Sequence, residues 1–96
     1  MTNQEIAAVF RGLAELLVKK KENWFKISSY RKAAEEIEKL TVDISQLAAE
    51  GKLREIPGVG DAIEKKIKEM LETGKLQKYE TLKAEVGMET GGTNQQ

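Results

Sequence analysis

Residues 53–73 read Leu53-Arg54-Glu55-Ile56-Pro57-Gly58-Val59-Gly60-Asp61-Ala62-Ile63-Glu64-Lys65-Lys66-Ile67-Lys68-Glu69-Met70-Leu71-Glu72-Thr73. Pro57 blocks any helix arriving from Leu53, because it has no backbone donor and its ring clashes with the preceding turn. Gly58 and Gly60 permit a tight turn and the close approach of another backbone. Asp61 then opens a helix, its carboxylate suited to the positive end of the dipole. Ile63, Ile67, Met70 and Leu71 recur at helical spacing, and Gly74 ends the run. The unit predicted is helix, glycine hairpin, helix.

A hairpin of this kind presents backbone N–H groups at a helix N-terminus, where a phosphate is stabilised. Its order of an apolar residue, Pro57, Gly58, an apolar residue, Gly60 and a helix resembles the helix-hairpin-helix motif. That motif holds a nucleic-acid backbone without reading bases. The bland alternative is an ordinary corner between two helices.

The surrounding composition narrows the setting. A chain of 96 residues makes one small domain. Its apolar residues are mostly Leu, Ile, Ala and Val, it has one proline, and it lacks β-branched runs, which favours an all-α fold. Cysteine and histidine are both absent. That excludes disulfides, thiolate zinc sites and the commonest general base. No apolar stretch reaches membrane-spanning length. Residues 1–18 contain Glu5, Arg11 and Glu15 and lack a signal-peptide core, so the expected location is intracellular, in the cytoplasm with DNA. Net charge is zero, which speaks against a uniformly basic nucleic-acid binder. The charge is segregated, however. Lys19, Lys20, Lys21, Lys26, Arg31 and Lys32 face only Glu22 in residues 19–32, whereas residues 33–50 are acidic. A basic face on a neutral protein still steers an anion.

From the N-terminus, Thr2 and Glu5 have the spacing of a capping box. They open a helix to about Lys20 with Ile6, Val9, Phe10, Leu13, Leu16 and Leu17 on one stripe. Of Trp24 and Phe25, one is expected in the core. The other, Phe25, is expected at the surface beside Lys26, where an exposed ring stacks on an unpaired base. Ser28 or Ser29 is a candidate cap for a second helix, which carries Ile27, Tyr30, Ala33, Ala34, Ile37 and Leu40. Asp43 opens a short helix that stops before Gly51, and residues 52–55 form a further short turn. A last helix over 76–85 offers Leu76, Tyr79, Leu82 and Val86 for burial. The predicted architecture is a compact bundle of five or six helices containing one helix-hairpin-helix motif. The domain covers 1–86, and 87–96 is expected to be a disordered polar tail.

Three separated segments now share one pattern: Lys26 with Tyr30-Arg31-Lys32-Ala33-Ala34, the hairpin, and Thr73-Gly74-Lys75-Leu76-Gln77-Lys78. Together they resemble the N-terminal eight-kilodalton domain of the family X DNA polymerases, the polymerase-beta-like enzymes, over residues 3–85. The resemblance implies a grip on the 5′-phosphate side of a DNA gap, as in base excision repair. It implies DNA-binding roles for Phe25, Lys26, Tyr30, Gly58, Val59, Gly60, Lys65, Lys68 and Lys78. It also implies a monovalent cation, Na or K, on the backbone carbonyls of Arg54, Ile56 and Val59, and no other cofactor. In some members of that family a lysine forms a Schiff base with a 5′-deoxyribose phosphate, and the matching position is Lys66. Lys65 and Lys68 are cationic neighbours able to lower its pKa. The bland reading of Lys66 is a helix-border lysine with a buried stem and a solvated head. Two positions depart from the family. Ala62 stands where the vertebrate enzyme has a phosphate-contacting lysine, and Phe25 replaces a template-stacking histidine. Both departures weigh on lyase chemistry more than on binding. No polymerase domain is encoded in this stretch, and the tail does not look like the start of one, so a stand-alone monomer is expected. Three functions stay open: a module for gapped or 5′-phosphorylated DNA, a 5′-deoxyribose-phosphate lyase, and a structural or protein-interaction domain.

Overall fold

Helix α1, Asn3–Lys19, starts where both halves of the capping box are made. Glu5 N–H donates to Thr2 Oγ1 at 3.0 Å, and Thr2 N–H donates to Glu5 Oε1 at 2.8 Å. A computed structural model describes the backbone of residues 1–94 and the side chains of residues 1–87. Among these residues the secondary structure is wholly helical. After α1 come α2, Trp24–Glu38; α3, Ile44–Ala49; a 3₁₀ turn, Leu53–Glu55; α4, Asp61–Thr73; and α5, Gln77–Asn94. No helix among the described residues is long and apolar enough to cross a membrane.

The second helix begins earlier than its serines suggest. Asn23 caps it, its side chain accepting from Phe25 N–H at 2.8 Å, so Ser28 and Ser29 lie inside α2. Asp43 caps α3 through Ser45, whose N–H and Oγ both reach Asp43 Oδ1, at 2.8 and 2.6 Å.

Helices α1 and α2 pack along each other and supply most of the core. Ile6, Phe10, Leu13 and Leu17 meet Ile27, Tyr30, Ala33 and Ile37, all buried. The Phe10 and Tyr30 rings stack at 5.9 Å between centroids, with an interplanar angle of 11°. Burying each large apolar side chain contributes about 1.5–3 kcal/mol. The exposed pairs Arg11–Glu38 and Arg31–Glu15 tie the same two helices, but solvated ion pairs add little to such a core. Ile44, Leu53, Ile56, Val59, Ile63, Ile67, Met70 and Leu76 close it from the hairpin half. Leu71 packs only at its edge.

Helix α5 lies against α1 at a notch. A Cβ on Gly12 would stand 2.7 Å from the Tyr79 hydroxyl and 2.8 Å from Tyr79 Cε1. Gly12 therefore leaves room for a ring that any side chain at this position would force to shift. At its far end α5 runs to Asn94 rather than stopping near Glu85. Gly87, where the domain was expected to give way to a polar tail, continues the helical backbone, unlike Gly74, which ends α4 at φ 80°. Residues 95 and 96 of that expected tail lie outside the described residues.

Candidate functional site

Helix α2 presents Lys26, Ser29 and Tyr30 within four residues of one another, hence on one face. The hairpin brings Gly58 and Gly60 opposite them, α4 adds Asp61, Ala62, Ile63 and Lys66, and the start of α5 adds Lys78. These residues line a cavity of about 470 Å³. Three cations and one acid thus converge. The acid, Asp61, is already engaged, its carboxylate 2.9 Å from the Arg54 guanidinium. Lys66 and Lys78 have no ion-pair partner among the described residues, and the Lys26 contact with Glu22 is long, at 3.9 Å.

The hairpin conformation follows from its glycines. Gly58 has φ 85°, in the left-handed region that side chains disfavour. Gly60 is different. Its φ is −106° and ψ −165°, and a Cβ built on it meets nothing within 4 Å. The fold itself does not demand glycine there. Gly60 is also the N-cap of α4, with no side chain capping it. The opening N–H groups of α4 are therefore left for a ligand or solvent, and the residues that carry them, Asp61, Ala62 and Ile63, line the same cavity.

Tyr30 and Lys66 form the floor. The Lys66 ammonium lies 5.8 Å from the Tyr30 ring centroid, within cation–π range. Burial pushes the Tyr30 phenol pKa up, while the charges of Lys78 and Lys26, which share the cavity lining, pull it down. Lys66 is half-buried, and its pKa is lowered. Desolvation is the first cause; Glu69 opposes it, and Lys26 adds to it.

Not every residue singled out from the sequence belongs to this cavity. Lys26, Tyr30, Gly58, Gly60, Lys66 and Lys78 line it. Lys65 is exposed and outside it. Lys68 pairs with Glu64 at 3.7 Å and borders a separate groove with Ala48, Ala49, Leu71 and Glu72. The Val59 side chain is core. Phe25, 81% exposed, lies at the surface as expected, but Trp24, 62% exposed, stays out of the core as well. Both sit in the first turn of α2, ahead of the inward stripe that starts at Ile27. Arg31 lies over the Trp24 ring at 5.6 Å. The Ile56 carbonyl, one of the three expected at a cation, accepts from Val59 N–H at 3.1 Å and keeps its second lone pair. Ser29, Asp61 and Ile63 are lining residues the sequence reading passed over. For Ser29 the signal was its spacing of three from Lys26.

The comparisons with known proteins agree with this geometry at the level of the motif. Residues 1–76 match the family described as a helix-hairpin-helix domain. No curated protein matches the chain.

Proposed function

This chain belongs to the helix-hairpin-helix domain family, and from that premise we propose that it binds DNA at gaps or 5′-phosphorylated ends. Helix-hairpin-helix domains are generally associated with DNA binding that does not depend on sequence. The finer reading, a polymerase-beta-like domain of family X type acting in DNA repair, is supported by the convergence of Lys26, Tyr30, Lys66 and Lys78 on one cavity. The uncapped α4 N-terminus opens onto that cavity. That convergence is the observation that carries the proposal. A terminal phosphate is compact, doubly charged and rich in acceptors, and three ammonium groups with helix N–H donors satisfy it. Phe25, exposed beside Lys26, offers a ring to an unpaired base. Lys65 and Lys68 serve as peripheral contacts to the DNA backbone. The carbonyls of Arg54, Ile56 and Val59 are suited, as hard oxygen donors, to Na or K. The protein acts as an intracellular monomer.

The test is a titration against gapped duplexes that differ only in the 5′-phosphate. Tighter binding to the phosphorylated gap, weakening as salt rises, is expected, because each phosphate contact releases counterions. Equal binding to the two gaps removes the pocket. Absence of binding at low salt leaves the structural or protein-interaction reading.

A second reading shares the site, and one observation favours it: Lys66 is half-buried with a depressed pKa in the same cavity. A neutral Lys66 amine attacks the C1′ aldehyde of a 5′-deoxyribose phosphate and expels water to give an imine. Water takes a C2′ proton, the electrons of that C–H bond form the C2′–C3′ double bond, and the C3′–O bond breaks with its electron pair leaving on the DNA 5′-phosphate. Water hydrolyses the imine and returns the amine. On this reading the protein is a 5′-deoxyribose-phosphate lyase, with Lys26 and Lys78 holding the sugar phosphate.

A further inference from the structure

Lys78 reaches the cavity from the first turn of α5, just after a sharp corner, and two α4 side chains, Glu69 and Thr73, fasten that corner. The Glu69 carboxylate accepts from the Gln77 backbone N–H, with Oε2 to N at 2.7 Å. Gln77 is the first residue of α5, so the bond satisfies one donor left open at that helix start. A carboxylate there also suits the helix dipole. Thr73 stiffens the same corner, its hydroxyl lying 2.8 Å from the Glu69 carbonyl and 2.9 Å from the Lys75 carbonyl. Glu69 also stands three residues beyond Lys66 on α4, close enough for its charge to act on that ammonium. One carboxylate thus serves both the helix that carries Lys66 and the helix that carries Lys78.

We propose that Glu69 is a positioning residue of the cavity, which by capping α5 holds Lys78 in register with Lys26 and Lys66. The proposal rests on reading the cavity as a phosphate seat. Simple electrostatics argues the other way. A carboxylate beside an anion site repels the anion, so deleting it should strengthen binding. Geometry and charge therefore predict opposite signs, and two substitutions separate them. Glu69→Gln removes the charge but keeps an oxygen that accepts from Gln77 N–H. Glu69→Ala removes both.

The experiment measures binding of the whole chain and its variants to a gapped duplex with a 5′-phosphate or a 5′-hydroxyl. Amide hydrogen exchange at Gln77 is followed in parallel. Glu69→Gln is expected to bind the phosphorylated gap as tightly as the parent or more so. Glu69→Ala is expected to lose roughly tenfold, the scale of one charge-assisted contact. Adding Lys78→Ala to Glu69→Ala should cost nothing further, because both changes remove the same contact. Exchange at Gln77 should accelerate in the alanine variant only. Alanine and glutamine variants that bind alike, or a Lys78→Ala effect fully additive with Glu69→Ala, overturn the proposal. A parent protein indifferent to the 5′-phosphate ends the phosphate reading instead. In that event the Gln77 exchange decides, and exchange unaltered in Glu69→Ala overturns the positioning role by itself.

Discussion

Replacing each hairpin glycine by alanine separates what the fold requires from what a ligand requires. Gly60 sits at φ −106° with nothing within 4 Å of an added Cβ. Alanine is a poorer N-cap than glycine, by about 0.5–1 kcal/mol. The loss of unfolded-chain freedom returns about 0.4–1 kcal/mol. The two nearly cancel, so Gly60→Ala should melt within a few degrees of the parent. Gly58→Ala should not. At φ 85° an alanine costs about 1–2 kcal/mol, and its Cβ would lie 2.9 Å from Lys32 Cγ. For a domain of this size that lowers Tm by about 4–16 °C. DNA binding should rank the two differently from stability. The methyl of Gly60→Ala occupies the open approach to the α4 N-terminus, where a phosphate would come closest, and should weaken binding on the order of tenfold. Circular dichroism melts and fluorescence anisotropy titrations on one gapped duplex read both quantities. Undiminished affinity in Gly60→Ala would refute the claim that the ligand backbone approaches the hairpin. A melting loss equal to that of Gly58→Ala would refute the conformational argument.

Borohydride should trap a covalent adduct with a 5′-deoxyribose phosphate end if Lys66 is a nucleophile, with Lys66→Ala and Lys66→Arg both inactive. Because only the neutral amine attacks and the Lys66 pKa is lowered, trapping should rise with pH and level off earlier than for an ordinary lysine. Lys26→Ala and Lys78→Ala should each reduce the slope of log affinity against log salt by about 1 and shrink the preference for a 5′-phosphate. Lys65→Ala, outside the cavity, should leave that preference intact. Phe10→Ala, which removes a fully buried ring stacked on Tyr30, should cost about 3–5 kcal/mol in a denaturant titration. Hydrogen bonds from Lys32, Arg11 and Ser45 respectively lower the pKa values of Glu36, Glu38 and Asp43. Groups lowered on folding stabilise the native state above their unfolded pKa and lose that effect as pH falls through the folded values. Melting temperature should therefore drop between about pH 5 and pH 2, and Glu38→Gln should flatten part of that drop.

The parts of this molecule governed by local chemistry were readable from residues alone. The Thr2–Glu5 capping box, the Pro57–Gly60 turn, the Gly74 stop and the stripes of α1 and α4 all depend on neighbours within four positions. Where the answer depends on a distant partner, the reading faltered. Judged by its neighbours, Gly12 is merely a poor helix former, because Tyr79, which needs the space, lies far along the chain. Hydrophobicity puts one of Trp24 and Phe25 in the core, but their place in the first turn of α2 keeps both outside. At the site, the resemblance names Lys26, Tyr30, Lys66 and Lys78, and these line one cavity. It gave Lys66 the nucleophile's position and Lys65 and Lys68 contacts with DNA, and of the three only Lys66 lines the cavity, at the border of the α4 stripe of Ile63, Ile67 and Met70. Nothing local set the length of α5, since glycines there are compatible with a stop or a continuation.

The cavity takes its cations from α2, α4 and α5, and that origin ties occupancy to folding. In the unfolded chain Lys26, Lys66 and Lys78 are widely separated, so no anion engages all three at once. A ligand that bridges them acts as a reversible cross-link present only in the native state. By mass action it raises stability by RT ln(1 + [L]/Kd), about 2.7 kcal/mol at a hundredfold excess over Kd. The empty cavity contributes in the opposite sense, holding three like charges together with Lys66 partly stripped of water. The protein should then be least rigid when unoccupied and should tighten across the α2–α4–α5 junction when an end is bound. A DNA end would become, in effect, the last piece of its core.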